Sequence, residues 1–199
     1  LSYCATAFRM GKREFVKESI DIKKLMMKKI RFNEDGLGAL NYIGYIETVR
    51  AFLHLNDVKG SESFAKSYTR WLEEEKREIA FNIAMAFIEE DKGDYDSAIE
   101  RLANIKPPDQ DIKLVIRIIY LRTYYSMGHY ESGFSLISSF RNFIKEAVHL
   151  NDDYKKNQLK TLKVFEKLYK IKCTPEKYSA FDVDDMIKTV EKEFVLGAP

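Results

Sequence analysis

The chain has 199 residues, which suits one compact domain or one short solenoid. Because 45% of the residues are hydrophobic and only 4 are proline, the composition argues against a disordered chain. The net charge of +2 is too small to indicate nucleic-acid binding by itself. The longest nearly apolar run, 79–88, is about half the length that a membrane span requires, so no span is predicted.

Cysteine usage and the first residue bear on the compartment and on the extent of the chain. Cys4 and Cys173 are isolated in sequence, so they exclude a disulfide framework and predict buried free thiols in a reducing compartment. We therefore expect a cytoplasmic protein. The chain begins at Leu1 within a helical pattern, so we also expect it to be a fragment of a longer protein.

Charge is distributed unevenly along the chain. Residues 12–31 carry a net charge of +5, residues 155–172 carry +6, and residues 73–111 carry −7. One interpretation is a set of solvated helix faces. The other is a basic surface at either end that meets an acidic partner or the acidic middle of another copy.

Apolar residues recur at helical spacing through nearly every segment. The break at Asn33–Gly36 separates two of the predicted helices. In chain order the predicted helices cover about 1–10, 15–30, 37–55, 61–72, 79–92, 95–106, 112–127, 130–148, 152–172 and 176–194. These make about ten helices, which we expect to form five antiparallel hairpins because the turns between them are short.

Start and stop signals accompany these helices. The expected N-caps are Ser61, Asp109 or Asp111, and Asn151. The expected stops are Gly11, Gly93, Gly128 and the pair Pro107–Pro108. Thr174-Pro175-Glu176 is typical of a helix start, with proline in the first turn.

One segment also fits a strand. Residues 114–121 are rich in β-branched side chains, which suits a buried strand. We favour a helix, because the spacing of three and four continues to Tyr124 and no second strand is available for pairing.

Three short stretches resemble one another. Each has a glycine followed five places later by a small residue: Gly60 and Ala65, Gly93 and Ala98, Gly128 and Gly133. The glycines lie 33 and 35 residues apart. A repeat near this length is typical of stacked helical hairpins, each of which buries its apolar face against its neighbours.

The stretch Phe81–Pro108 resembles a tetratricopeptide (TPR) repeat, most clearly at Gly93-Asp94-Tyr95 with Ala98 following. Residues 124–133 match the same motif, with Tyr130 in the position of Tyr95. In this resemblance the glycine frees the tight turn, and the small residue lets the second helix approach the first. The tyrosine fills the wedge beside the turn.

The resemblance implies an all-α fold, a right-handed α-α superhelix of about five antiparallel hairpins in a single domain over residues 1–199. Residues 1–36 would form a flanking hairpin, 37–148 three repeat-like hairpins, and 149–199 a C-terminal capping hairpin. It also implies a concave groove lined by the first helix of each hairpin. Counting back from each turn glycine places these polar residues in the groove: Arg50, His54, Asn82, Arg122 and Tyr125.

No pattern for catalysis, a cofactor or a metal is visible in the sequence. The histidines His54, His129 and His149 are far apart, and none has a His or Cys one helical turn away. The sequence therefore favours a non-catalytic module that binds a peptide or a partner protein in the groove. The alternative is a nucleic-acid-binding repeat protein that uses the basic segments 12–31 and 155–172, and self-association through opposite charges is a third interpretation.

Overall fold

The computed structural model describes residues 14–29, 41–107, 109–148 and 150–194. Within these ranges the chain forms nine α-helices and no strand. The helices are α1 Glu14–Lys29, α2 Tyr42–His54, α3 Val58–Tyr68, α4 Glu74–Lys92, α5 Tyr95–Ala103, α6 Gln110–Met127, α7 Tyr130–Glu146, α8 Asp152–Cys173 and α9 Ala180–Phe194. The all-α prediction is confirmed for this part of the chain, and residues 114–121 are helical as favoured. The expected helix over 1–10 and the break at Asn33–Gly36 lie outside the described residues.

The chain divides into two compact units, with the boundary inside α6. The first unit extends to Ile112 and the second begins at Lys113.

In the first unit, α2 and α3 form an antiparallel hairpin. The buried Tyr45 hydroxyl of α2 donates to the Ala65 carbonyl of α3 at 2.9 Å. Further along α2, the Val49 carbonyl accepts from the Ser61 hydroxyl, near the start of α3, at 3.2 Å. Since residue numbers rise along one helix as they fall along the other, the two helices run in opposite directions.

The next hairpin, α4 and α5, stacks its first helix parallel to α2. The ammonium of Lys76 lies 5.2 Å from the centre of the Tyr42 ring. Toward the other end, the guanidinium of Arg50 lies 5.1 Å from the centre of the Phe87 ring. From the first pair to the second, the residue numbers rise along both α2 and α4. The first helices of these consecutive hairpins are therefore parallel neighbours. This order is expected when hairpins stack one after another.

The second unit holds α6 and α7 as an antiparallel hairpin with α8 packed on α7. The Arg117 guanidinium of α6 lies 4.8 Å from the ring centre of Phe143 on α7. From α7 to α8, Arg141 donates to Glu166 at 2.6 Å. The core of this unit consists of buried side chains from all three helices: Leu114, Leu121, Ile137, Phe140, Ile144, Leu162 and Tyr169.

Three turns between helices share one hydrogen-bond pattern. In each, a residue with positive φ follows the first helix: Asn56 (56°), Gly93 (80°) and Gly128 (75°). The N–H of the residue after it donates to the carbonyl five places back, as follows: Asp57 to Phe52 at 3.0 Å, Asp94 to Glu89 at 2.9 Å, and His129 to Tyr124 at 2.9 Å. This is the Schellman motif, which satisfies the last carbonyls of a helix. The residue after the left-handed one also serves as N-cap of the next helix.

The first of these turns differs from the prediction. Gly60 is in the first turn of α3, not in the interhelical turn, and Asn56 takes the left-handed position instead. Asp57 caps α3 by accepting from the Gly60 N–H at 2.8 Å, so Ser61 is not the cap. Ser61 is the fully buried small residue five places after Asn56. The same turn geometry therefore lies four residues earlier than the glycine pattern suggested.

The small residue of the third repeat has an unexpected neighbour. A methyl group at Gly133 would lie 2.0 Å from Cε1 of Tyr169. Tyr169 belongs to α8, whereas the prediction was close approach of α7 to α6. The Tyr130 ring packs edge-on against the same tyrosine, with ring centres 6.0 Å apart. In the second repeat, Ala98 is fully buried and Tyr95 is half-buried at the start of α5.

Some helix ends also differ from the prediction. Helix α4 begins at Glu74 rather than after Glu78, because acidic residues in a first turn interact favourably with the helix dipole. Pro175 starts a short 3-10 turn, and α9 begins only at Ala180. The cap there is reciprocal: the Ser179 N–H donates to Asp182 at 2.8 Å, and the Asp182 N–H donates to the Ser179 hydroxyl at 3.2 Å. The caps at Asp109 and Asn151 are confirmed.

The predicted burial of the thiols is wrong for Cys173. Cys173 is an exposed free thiol in the last turn of α8, and Cys4 lies outside the described residues. On α9, Met186 is buried, whereas Ile187 is 50% exposed.

Substitutions at two of these turns test which residue takes the positive φ. Replacing Gly93 with alanine should cost about 1–2 kcal/mol of stability, because the φ of 80° disfavours any Cβ. Since no atom lies within 4 Å of that Cβ, the cost is one of backbone conformation alone. Replacing Asn56 with glycine should leave stability unchanged or raise it by up to about 1 kcal/mol. Urea unfolding followed by circular dichroism measures both, and a clear loss of stability in Asn56→Gly would contradict the assignment of this turn.

Candidate functional site

The five predicted groove residues fall in both units. Arg50, His54 and Asn82 belong to the first unit, and Arg122 and Tyr125 belong to the second.

Arg50 is half-buried on α2 and stacks on the α4 ring of Phe87, which is itself 4% exposed. A guanidinium over an aromatic face contributes about 0.5–1 kcal/mol at a partly exposed site. Arg50 therefore joins the two parallel helices as well as presenting a positive charge.

Asn82 does not share a face with Arg50. It precedes Phe87 by five residues, so the two side chains of α4 point about 140° apart. The side-chain amide is half-buried and forms no hydrogen bond with the described residues. Its donor and acceptor groups are therefore open to water or to a ligand. His54 is exposed in the last turn of α2, where a cation is favoured by the helix dipole.

A polar cluster at the other end of α2 was not predicted. The Tyr42 hydroxyl donates to Asp109 Oδ2 at 2.5 Å, and the Lys76 ammonium lies 4.0 Å from the same oxygen. The other oxygen of Asp109 accepts from the Ile112 N–H at 2.9 Å and so caps α6. Burial, and then the bond to Asp109, raise the pKa of Tyr42. The sequence indicated the cap, but nothing in it linked Tyr42 to a residue 67 places away.

In the second unit, Tyr125 lies between an aromatic core and a cation. Its ring meets the Tyr169 ring edge-on, with centres 5.5 Å apart. The Lys172 ammonium lies 5.9 Å from the centre of the Tyr125 ring. Burial, and then the neighbouring Tyr130, raise the pKa of Tyr125. A tyrosine phenol is protonated at neutral pH and can donate a hydrogen bond. Arg122 is exposed one turn earlier on α6, about 60° around the helix from Tyr125.

Arg122, Tyr125 and Lys172 form what we call the basic tyrosine cluster. It offers two cations and a hydroxyl donor from the C-terminal parts of α6 and α8. Such groups suit a carboxylate, because hydrogen bonds from charged donors are shorter and stronger than neutral ones. Lys172 was missed as a site residue, although it lies in the basic segment 155–172.

Within the described ranges, no group of three or more His, Cys, Asp or Glu side chains is placed to hold a metal ion. None of the helices described there combines the length and the apolar character that crossing a membrane requires. His129 occupies the N-cap position of α7 and is exposed, with its ring 6.3 Å from that of Tyr124. His149 lies outside the described residues.

Comparisons with protein-family models, with curated proteins and with solved structures find no match to this chain.

Proposed function

We propose that the chain is a non-catalytic protein-interaction module, a TPR-like solenoid that binds an acidic peptide or a segment of a partner protein. The observation that carries the proposal is the repeat of one turn geometry at three places, together with the parallel stacking of α2 and α4. Repeated hairpins of this kind curve into superhelices that present extended binding surfaces. A right-handed superhelix is part of the proposal.

The contact that we assign to the partner's acidic group is the basic tyrosine cluster. There, the Lys172 ammonium lies 5.9 Å from the centre of a tyrosine ring that the core holds in place, and Arg122 lies about 60° from that ring around α6. In the first unit, Arg50 of α2 stacks on Phe87 of α4, and the open amide of Asn82 lies about 140° around α4 from that ring. They supply secondary contacts rather than a second pocket.

Selection from a display library of random peptides on the 199-residue chain tests this function. We expect the selected peptides to be enriched in Asp and Glu. The variant Arg122→Glu, Lys172→Glu should bind them about 10- to 100-fold more weakly, because opposed like charges cost an interface several kcal/mol. Fluorescence anisotropy with the selected peptides measures the affinity.

The matched control is Lys145→Glu, Lys177→Glu, which makes the same change of charge at exposed positions of the second unit. Equal affinity of the two variants would contradict the assignment of the cluster. Selection of peptides without acidic enrichment would contradict the proposed ligand. Concentration-dependent self-association that is lost in the cluster variant would identify another copy of the chain as the partner.

A further inference from the structure

Five lysines follow one line along α8. They are spaced by four, three, four and three residues, which keeps side chains on one face of a helix. We call them the lysine row: Lys156, Lys160, Lys163, Lys167 and Lys170. At 1.5 Å of rise per residue the row is about 21 Å long.

The row faces away from the core of the second unit. The buried residues of α8 are Gln158, Leu162 and Tyr169, which lie on the opposite side of the helix from the row. Four of the five lysines are exposed, and Lys167 is half-buried. The row is therefore a surface that the packing of α8 on α7 leaves uncovered.

Most of the charge in the row is not compensated. Lys170 pairs with Glu166 at 2.7 Å, and Lys167 pairs with Asp185 of α9 at 3.8 Å. Lys156, Lys160 and Lys163 form no ion pair with any described residue. The first two-thirds of α8 therefore present three adjacent positive charges to solvent.

The chemistry of the row suits phosphates better than a protein surface. The cores of protein interfaces are rich in aromatic side chains and poor in lysine. No apolar or aromatic side chain interrupts the row, so a protein partner would find no anchor there. Lysine acts as a point charge that binds phosphate without demanding a fixed geometry.

The surroundings of the row also argue against a membrane surface. Asp184 and Asp185 of α9 have side chains that are 66% and 61% exposed, and Asp185 touches the row through Lys167. A planar anionic bilayer would meet these carboxylates together with the lysines and would be repelled by them. A nucleic-acid backbone is narrow and can follow the row alone.

We propose that the lysine row binds the phosphate backbone of double-stranded DNA without reading its sequence. The absence of aromatic side chains from the row removes the base-stacking surface that single-strand binders use. The open major groove of B-form DNA admits a helix, whereas the deep, narrow major groove of A-form RNA does not. With a phosphate every 3.4 Å along each strand, the row spans about six base pairs.

Fluorescence anisotropy with a labelled DNA duplex of about 24 base pairs tests the proposal on the 199-residue chain. If three to five phosphates are contacted, affinity should fall about 40- to 500-fold between about 50 and about 200 mM salt. The variant Lys156→Gln, Lys160→Gln, Lys163→Gln should bind more weakly, and its salt slope should be smaller by about three.

The matched control replaces three exposed lysines outside the row: Lys59→Gln, Lys145→Gln and Lys177→Gln. Circular dichroism and thermal unfolding establish that both variants are folded. Loss of DNA binding in the row variant with binding retained in the control supports the proposal. Equal loss in both, no binding at the lower salt, or tighter binding to an RNA duplex, a single strand or vesicles of anionic lipid would overturn it.

Discussion

Replacing Gly133 with alanine is expected to destabilise the second unit by about 2–4 kcal/mol, even though alanine is the better helix former by about 1 kcal/mol. The added methyl would lie 2.0 Å from Cε1, 2.3 Å from Cζ and 2.6 Å from the hydroxyl of Tyr169. That ring cannot move cheaply, because it is fully buried and its hydroxyl donates to the Leu121 carbonyl at 2.6 Å. Displacing it would break this bond and leave the buried hydroxyl of Tyr169 without its acceptor.

Gly44→Ala is the matched control for this prediction. Gly44 also lies within a helix, but no atom lies within 4 Å of a Cβ placed there. This variant should be as stable as the parent chain or more stable by up to about 1 kcal/mol. Urea unfolding followed by circular dichroism gives both values. If the two alanine variants prove equally stable, the contact between α7 and α8 at Tyr169 is not as described.

Replacing Tyr45 with alanine is expected to cost about 3–5 kcal/mol, because a fully buried aromatic side chain is lost from the first hairpin. The hydroxyl also donates to the Ala65 carbonyl at 2.9 Å and lies 2.8 Å from the Thr69 hydroxyl. Tyr45→Phe keeps the ring and removes only these bonds, so it should cost about 1–3 kcal/mol. If Tyr45→Phe lost as much stability as Tyr45→Ala, this would contradict the view that the ring supplies most of the stabilisation.

The same residue makes the first unit sensitive to alkali. Burial raises the pKa of Tyr45 from 10.0 to about 12, although the hydrogen bond with Thr69 acts in the opposite direction. Because the folded state holds this proton more tightly, its stabilising contribution is complete below pH 10. It is lost as the pH rises from 10.0 to about 12.

The loss attributable to Tyr45 is about 2–3 kcal/mol over this interval. Unfolding measurements near pH 9 and near pH 11 should therefore show a smaller alkaline loss in Tyr45→Phe than in the parent chain. Part of the loss should remain, because burial also raises the pKa of Tyr42 and Tyr169. An identical alkaline loss in both proteins would contradict the role assigned to Tyr45.

The sequence predicted the helices well because their signals are local. Gly93 and Gly128 were identified as turn residues from glycine alone, and both adopt positive φ. The first turn was misplaced because asparagine also tolerates the left-handed conformation, so Gly60 attracted the assignment that belongs to Asn56. Asn56-Asp57 and Gly60 were all assigned to this turn, but the turn ends at Asp57, which caps the next helix.

The candidate sites were less predictable, because their contacts join residues that are distant along the chain. The repeat pattern indicated a small residue at position 133, but it could not identify Tyr169 as the group that needs the space. In the same way, Arg50 was expected in a groove, and its stacking on Phe87 depends on the register of two helices. The lysine row could have been found from the helical spacing of the lysines in residues 155–172. Only the net charge of that segment was considered.

The hairpin turns leave no spare length in the chain. A single residue separates the end of one helix from the N-cap of the next between α4 and α5 and between α6 and α7, and two residues do so between α2 and α3. In all three turns that N-cap also completes the preceding Schellman motif. One inserted residue would turn the following helix by about 100° and expose its apolar side. Between α3 and α4, by contrast, the 3-10 turn Thr69–Trp71 intervenes and relaxes this constraint. Insertions and deletions should therefore be tolerated better at the junctions between hairpins than within the hairpin turns.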